Sequence, residues 1–157
     1  CVPLWAAGAA RGNLPRTNVH APSGSWSQVL SYKFRLEKSE EVKIVVVDPQ
    51  AMAPLPGVTQ IQGVIIKISN AQEFIRHFEG QPADLVMFDG APDVTGLHDV
   101  DEYVQAHLIL AALNITTHVL NPEGTFAAKI FSGKDVTLLY SQLTIFFNVV
   151  TWDQGPN

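Results

Sequence analysis

Two charged residues, Asp89 and Lys129, stand beside apolar runs in a way that could bring an acid and a base together at one edge of a sheet. Asp89 ends the run LVMF and is followed by Gly, Ala and Pro, which break a regular element. Such an apolar run is typical of a buried parallel strand that delivers a carboxylate to the C-terminal edge of the sheet, where open α/β folds keep their sites. Lys129 lies in a second run, FAAKIF, so an acid and a base could meet there. The lysine could then act as a general base toward a hydroxyl; the alternative is a surface lysine whose stem covers apolar neighbours.

Two further segments have the pattern of a nucleotide site. Asp48 ends the β-branched run KIVVVD, and a carboxylate in that position can accept both hydroxyls of a ribose, although it could equally cap the next turn. The segment APSGSWS, 21–27, falls where a first strand would turn into a first helix. Gly24 would let the backbone approach a ligand, and the N–H groups of the helix start favour an anion. The alternative is an ordinary turn with a helix cap.

Strands and helices are predicted to alternate along the chain. The predicted strands are 43–48, 58–62, 85–89 and 125–131, with a last strand beginning over 147–152, and the predicted helices are 25–34, 71–78, 99–120 and 136–146. This alternation indicates βαβ units and therefore an α/β fold with a mostly parallel, doubly wound sheet. Residues 1–18 follow neither period and are predicted to be irregular, so the domain is expected over 19–157.

Spacing also predicts how two helices are placed. In helix 71–78, Phe74, Ile75 and Phe78 are expected to point inward. Asp99 and the glutamate three residues later have the spacing of a capping box at the start of the long helix, and Pro122 is expected to stop that helix.

Composition limits the classes of protein to which the chain can belong. Its 157 residues suffice for one domain, and 46% of them are hydrophobic, as in globular proteins. The net charge is −5, which is the wrong sign for holding RNA unaided, because phosphate contacts supply most non-specific affinity. Cys1 is the only cysteine, so an intramolecular disulfide is excluded and a cytoplasmic location is expected. No apolar run reaches the roughly 20 residues that span a bilayer, and the histidines lack zinc-site spacing, so neither a membrane span nor a metal is expected.

Four longer motifs carry a family resemblance: GSWSQVLS, DPQAMAPLPGV, DGAPDVTGLHDVDEY and GKDVTLLYSQL. With these motifs the chain resembles the FtsJ-type S-adenosylmethionine-dependent RNA 2′-O-ribose methyltransferases, and most of all the eukaryotic branch that acts on the tRNA anticodon loop. The resemblance implies a Rossmann-like class I methyltransferase fold and S-adenosylmethionine as cofactor. It also implies tRNA as substrate and an auxiliary protein subunit that supplies RNA affinity.

The resemblance also assigns roles to individual residues. The family's glycine-containing motif binds the methionine part of the cofactor, its first strand-terminal Asp binds the ribose, and a Lys-Asp-Lys-Glu tetrad performs catalysis. The matching cofactor-binding positions are Gly24, Ser25, Trp26, Asp48 and Asp89, and the matching catalytic positions are Asp89 and Lys129, the middle two of the tetrad.

Several positions depart from the family pattern. The family's IQGD motif, whose Asp contacts adenine, reads IQGV with Val64, which implies weakened cofactor binding. The acidic residue expected before the glycine motif is Asn18, and the proline of that motif is displaced by one, to Pro22. The segments that would carry the first Lys and the last Glu of the tetrad have no counterpart in 1–157, so the methyltransferase-like domain is expected to be truncated or diverged at both ends.

Two functions are consistent with these observations. The first is transfer of a methyl group from S-adenosylmethionine to a ribose 2′-hydroxyl of tRNA. The second is a catalytically inactive methyltransferase-like module that binds the partners of the active enzyme. Asp89 and Lys129 favour the first function, whereas Val64 and the acidic charge favour the second.

Overall fold

A computed structural model describes residues 4–8, 43–51, 53–89, 98–130 and 136–151, with the backbone alone for 4–8 and for His98, Asp99 and Val136. These residues form one five-stranded sheet and three helices. In chain order the elements are β1 Leu4–Gly8, β2 Lys43–Asp48, β3 Val58–Gln62, α1 Ile68–Arg76, β4 Ala83–Asp89, α2 His98–Val119, β5 Leu120–Lys129 and α3 Val136–Phe146.

Four of the five strands of the sheet run in the same direction. The strand order is β3-β2-β1-β4-β5; β2 is parallel to β3 and β4 to β5, while β1 is antiparallel to both of its neighbours, β2 and β4. Because both neighbours oppose β1, they are parallel to each other, and the C-terminal ends of β2, β3, β4 and β5 all lie at one edge. The predicted α/β fold with a mostly parallel sheet is therefore confirmed.

The hydrophobic core lies between the sheet and the helices α1 and α2. Val45 and Val47 of β2 join the core cluster with Val86 and Phe88 of β4. The alternate β2 residue Val46, which faces the other side of the sheet, is equally buried, as expected for a strand that is covered on both faces. Helix α2 buries residues three or four positions apart, and these form its core-facing stripe: Leu108, Ala112, Ile115 and Val119.

Helix α1 was predicted from its apolar spacing and packs as expected. Phe74 is fully buried and Phe78 nearly so, with the two ring centroids 5.5 Å apart. Ile75 is partly buried against the same cluster. The helix begins at Ile68, three residues before the predicted start, because the turn over 64–67 leads directly into it. It ends at Arg76, two residues before the predicted end, so Phe78 lies in the turn that follows the helix.

The expectation that residues 1–18 are irregular is wrong for Leu4–Gly8, which form the central strand β1. Its sequence, LWAAG, is too short and too rich in Ala and Gly to show a strand period. The strand is instead specified by tertiary pairing, because β2 and β4 each present a row of backbone groups that need partners. The described part of this segment therefore belongs to the same sheet as the rest of the domain.

Other predicted element bounds also differ from the structure. Strand β5 begins at Leu120, five residues before the predicted start, and ends at Lys129, two residues before the predicted end. Helix α2 ends at Val119, and Pro122, expected to stop the helix, lies within β5. There the register jumps from Ala83↔Leu120 to Leu85↔Thr125, so the proline falls in an irregularity of the ladder, where no N–H is required. The last predicted strand is wrong for its described residues, 147–151, which form no strand. Helix α3 has the predicted bounds, and the predicted helix 25–34 lies outside the described residues.

Candidate active site

The C-terminal edge of the sheet carries polar residues on four strands. Asp48 pairs with Gln62 across β2 and β3, and Asp89 pairs with Lys129 across β4 and β5. Val47 and Phe88, the residues just before the two aspartates, are both opposite Leu4 of β1. The aspartates therefore lie at the same level of the sheet, two strand spacings apart, or roughly 10 Å.

The topology places this edge where α/β sheets bind ligands. From β1 the chain order continues to β2 and β3 on one side, and β4 and β5 lie on the other. Sites in open α/β sheets form outside the carboxyl ends of strands at such a reversal. Because β1 is antiparallel, its C-terminal end lies at the opposite edge, and the reversal at this edge is the one between β2 and β4, which end in Asp48 and Asp89.

Asp89 and Lys129 are brought together as the sequence predicted. Lys129 Nζ lies 3.8 Å from Asp89 Oδ1, and the side chains are 52% and 10% exposed, respectively. This distance lies within ion-pair range but is longer than a hydrogen bond. The buried Oδ1 atom has no hydrogen-bond partner among the described residues. Buried carboxylate oxygens are costly to leave unpaired, and an orphan of this kind at a sheet edge is suited to a ligand that supplies a donor.

The two side chains differ in what they can reach. The Asp89 carboxylate is held close to the sheet, whereas the half-exposed Lys129 ammonium group lies toward solvent. A polymer substrate that approaches the edge from solvent can therefore contact the lysine, and a small ligand seated against the strand ends can contact the aspartate. Chemically, the pair offers a base for an incoming hydroxyl and an acceptor for a bound small molecule.

Asp48 is held at the end of β2 with acceptor capacity left on its carboxylate. It is 4% exposed, and its Oδ1 accepts a hydrogen bond of 2.7 Å from the backbone N–H of Gln50. This bond fixes the carboxylate at the strand end and leaves lone pairs on both oxygens for two hydroxyl donors. Gln50 thus orients the carboxylate through its backbone, a contact that the sequence did not reveal.

A third group of contacts lies just beyond the end of β3. The backbone N–H of Gly63 donates to the Asp48 carbonyl at 2.9 Å, which ties this position to the ribose candidate. Val64, which follows, is 46% exposed. Its carbonyl accepts from the Asn70 Nδ2 at 3.0 Å and from the backbone N–H of Lys67 at 3.1 Å. Sequence reasoning missed Asn70; the only available signal was a short polar residue in the first turn of a helix that follows a strand.

The other predicted cofactor residues, Gly24, Ser25 and Trp26, lie outside the described residues, as do Asn18 and Pro22. Among the residues described, no group of three or more His, Cys, Asp or Glu side chains could hold a metal ion. No helix in the same part of the chain is long and apolar enough to cross a membrane.

The acceptor groups of Asp48 and Asp89 can be compared with the hydrogen-bond donors of S-adenosylmethionine. Asp48 and Asp89 stand at one edge with a separation suited to the two ends of a nucleoside bound to an amino acid. Asp48 can accept from ribose hydroxyls, and the orphaned Asp89 oxygen can accept from a cationic or N–H donor. These residues fit the cofactor.

Comparison with known proteins gives a consistent family assignment. Residues 18–156 match the family of FtsJ-like methyltransferases. The chain is 68% identical over 130 residues to a human tRNA (cytidine(32)/guanosine(34)-2′-O)-methyltransferase, covering 83% of this chain and 39% of the relative. It is 56% identical over 133 residues to a Dictyostelium discoideum protein described as a putative enzyme of the same name, covering 84% and 49%.

A more distant bacterial relative is similar over a shorter stretch. A ribosomal RNA large subunit methyltransferase E of Variovorax paradoxus is 35% identical over 114 residues, covering 70% of this chain and 51% of the relative. This chain thus spans between about two fifths and one half of the length of these three relatives.

Proposed function

We propose that this chain, which belongs to the FtsJ-like methyltransferase family, transfers a methyl group to a ribose 2′-hydroxyl of tRNA. The observation that carries the proposal is the Asp89–Lys129 pair at the C-terminal edge of the sheet, 3.8 Å apart. Relatives from human and Dictyostelium discoideum that are more than half identical to the chain carry names of tRNA 2′-O-methyltransferases.

FtsJ-like methyltransferases use S-adenosylmethionine, which supplies an electrophilic methyl group on a sulfonium. In this chain Asp48 would hold the ribose hydroxyls, oriented by its bond from Gln50. Asp89 Oδ1, which has no hydrogen-bond partner among the described residues, would accept a hydrogen bond from the amino-acid end of the cofactor. Gly24, Ser25 and Trp26 would complete the site around the methionine part, as the family motif implies. Because Val64 cannot accept a hydrogen bond through its side chain, we expect cofactor binding to be weaker than with an aspartate there.

Lys129 is the residue that we assign to the substrate. A 2′-hydroxyl becomes a competent nucleophile as it loses its proton, and a neutral lysine amine can accept that proton. The half-exposed side chain can meet an RNA from solvent, and the nearby Asp89 carboxylate restricts where its amino group lies. The residues that hold the cofactor and the residue that activates the hydroxyl are thus on neighbouring strands, β4 and β5.

The proposed substrate needs more positive charge than this chain provides. With ten Lys and Arg against fifteen Asp and Glu, the chain repels a phosphate backbone overall. We therefore propose that an auxiliary protein subunit supplies the cationic surface that holds tRNA. We also propose a cytoplasmic location, in agreement with a chain whose single cysteine excludes an internal disulfide.

The experiment that tests the proposed function is transfer of a labelled methyl group from S-adenosylmethionine to unmodified tRNA, with the proposed auxiliary subunit supplied. Ribose 2′-O-methylation blocks alkaline cleavage of the adjacent phosphodiester, so the label should appear in alkali-resistant dinucleotides. Label in alkali-labile mononucleotides would indicate base methylation and refute the ribose assignment.

One observation favours the alternative, an inactive module that binds partners of the active enzyme. Strand β1 runs against its neighbours, so its C-terminal end, Gly8, pairs with Lys43 at the edge opposite Asp48. The C-terminal end of β1 therefore does not contribute to the edge that carries Asp48 and Asp89. Under this alternative, S-adenosylmethionine would not bind, and the assay above would yield no labelled RNA.

A further inference from the structure

The side-chain amide of Asn70 is fixed just beyond the C-terminal end of β3. Its Nδ2 donates to the Val64 carbonyl at 3.0 Å. A carbonyl can only accept, so this bond settles the orientation of the amide: the nitrogen faces Val64, and Oδ1 lies at the opposite end of the group. The backbone N–H of Asn70 is bonded to Lys67 at 3.0 Å, which fixes the residue in the first turn of α1.

Gly63 is what allows the amide to lie there. A Cβ built on Gly63 would come within 2.0 Å of Asn70 Nδ2 and 3.0 Å of Oδ1, so any other residue would displace the side chain. Since the Gly63 N–H is also bonded to the Asp48 carbonyl, the amide and the Asp48 strand end are separated by a single glycine. A ligand whose ribose is held by Asp48 would therefore extend its base toward Asn70.

We propose that Asn70 recognises the adenine of S-adenosylmethionine and supplies the hydrogen-bond acceptor that Val64 lacks. This inference rests on the proposed function, because it requires the ribose at Asp48. The amide has the chemistry that adenine requires: Oδ1 accepts from the exocyclic amino group, and the second hydrogen of Nδ2, not used by Val64, donates to a ring nitrogen. An aspartate could accept from the amino group but could not donate to the ring.

If Asn70 binds adenine, the site should prefer adenine to hypoxanthine. Hypoxanthine carries a carbonyl oxygen where adenine carries the amino group, so it would present an acceptor to the Asn70 Oδ1 acceptor. One hydrogen bond would be lost, and the hypoxanthine oxygen would face the Asn70 Oδ1. Binding of the hypoxanthine compound should therefore be weaker by about tenfold or more.

The test is a comparison of two ligands by calorimetric titration, S-adenosylhomocysteine and its deaminated analogue S-inosylhomocysteine. The unaltered chain should prefer the adenosyl compound by at least about tenfold. In Asn70→Ala this preference should fall to within about twofold, since the selective acceptor is gone. Asn114→Ala, which removes an exposed asparagine from α2, is the matched control and should keep the full preference.

The outcomes separate the inference from the proposed function. Equal affinity of the unaltered chain for both ligands would overturn the role of Asn70 while leaving the cofactor site in place, and this result does not depend on the folding of any variant. A preference that persists in Asn70→Ala, with an unchanged circular-dichroism melting curve, would also overturn it. Failure of the unaltered chain to bind S-adenosylhomocysteine at all would refute both proposals.

Discussion

Replacing Lys129 by alanine should abolish methyl transfer and leave both the fold and cofactor binding nearly intact. The lysine side chain is 52% exposed and 3.8 Å from its partner, so its loss should change the free energy of unfolding by less than about 1 kcal/mol. Loss of a general base typically lowers the rate by about 10² to 10⁴-fold. Activity and stability are therefore expected to respond very differently to this one substitution.

Two companion variants make the experiment specific. Lys129→Arg keeps the positive charge beside Asp89, but a guanidinium remains protonated and cannot accept a proton from the hydroxyl, so it should be nearly as inactive as Lys129→Ala. Arg76→Ala removes one exposed positive charge at the far end of α1 and controls for the change in net charge; it should be fully active.

The assay is single-turnover methyl transfer to tRNA, with S-adenosylmethionine affinity measured separately by calorimetry. Reduced transfer at unchanged affinity would place Lys129 in the chemical step. Full activity in Lys129→Ala, or full activity in Lys129→Arg alone, would refute the general-base role. A matching loss of cofactor affinity would indicate that the lysine helps to hold the cofactor.

Three further substitutions, the last with a matched control, address cofactor binding and the hydrophobic core. Val64→Asp should tighten S-adenosylmethionine binding by up to about tenfold, the value of one buried hydrogen bond, because adenine's amino group has a second hydrogen to donate. Unchanged affinity in calorimetry would mean that adenine lies elsewhere. Asp48→Asn should weaken binding by about tenfold or more, since the amide offers one acceptor oxygen where the carboxylate offers two, and an affinity equal to that of the unaltered chain would remove Asp48 from the ribose site. Phe74→Ala should lower the free energy of unfolding, measured by urea denaturation, by about 3–5 kcal/mol, because the ring is fully buried. The control Ile68→Ala, at a residue that is 73% exposed, should change this free energy by less than about 0.5 kcal/mol. Similar losses from both would contradict the position of the core.

The strands that build the site were predictable because burial on both faces is visible in the sequence. Lys43–Asp48 and the run that ends in Asp89 are continuous and apolar, a pattern that helices on the surface do not show. The proximity of Asp89 and Lys129 followed from the common direction of their strands. It did not require knowledge of the register, which pairs the two residues directly.

Features that depend on contacts through space were not predictable. Strand β1 owes its place and its reversed direction to the two strands that flank it, and LWAAG carries no trace of either. Asn70 matters only because Gly63 leaves room for its amide and the Val64 carbonyl orients it. Local pattern therefore predicts which elements form, whereas the groups that complete a site between elements appear only when those elements are packed together.

Calorimetric titration of the chain with S-adenosylmethionine tests whether the sheet edge between Asp48 and Asp89 binds this cofactor. We expect saturable one-site binding. The affinity should fall by about tenfold or more in Asp89→Asn, which removes the negative charge from the carboxylate whose Oδ1 has no hydrogen-bond partner among the described residues. Absence of binding by the unaltered chain, or binding of equal strength by Asp89→Asn, would contradict this expectation.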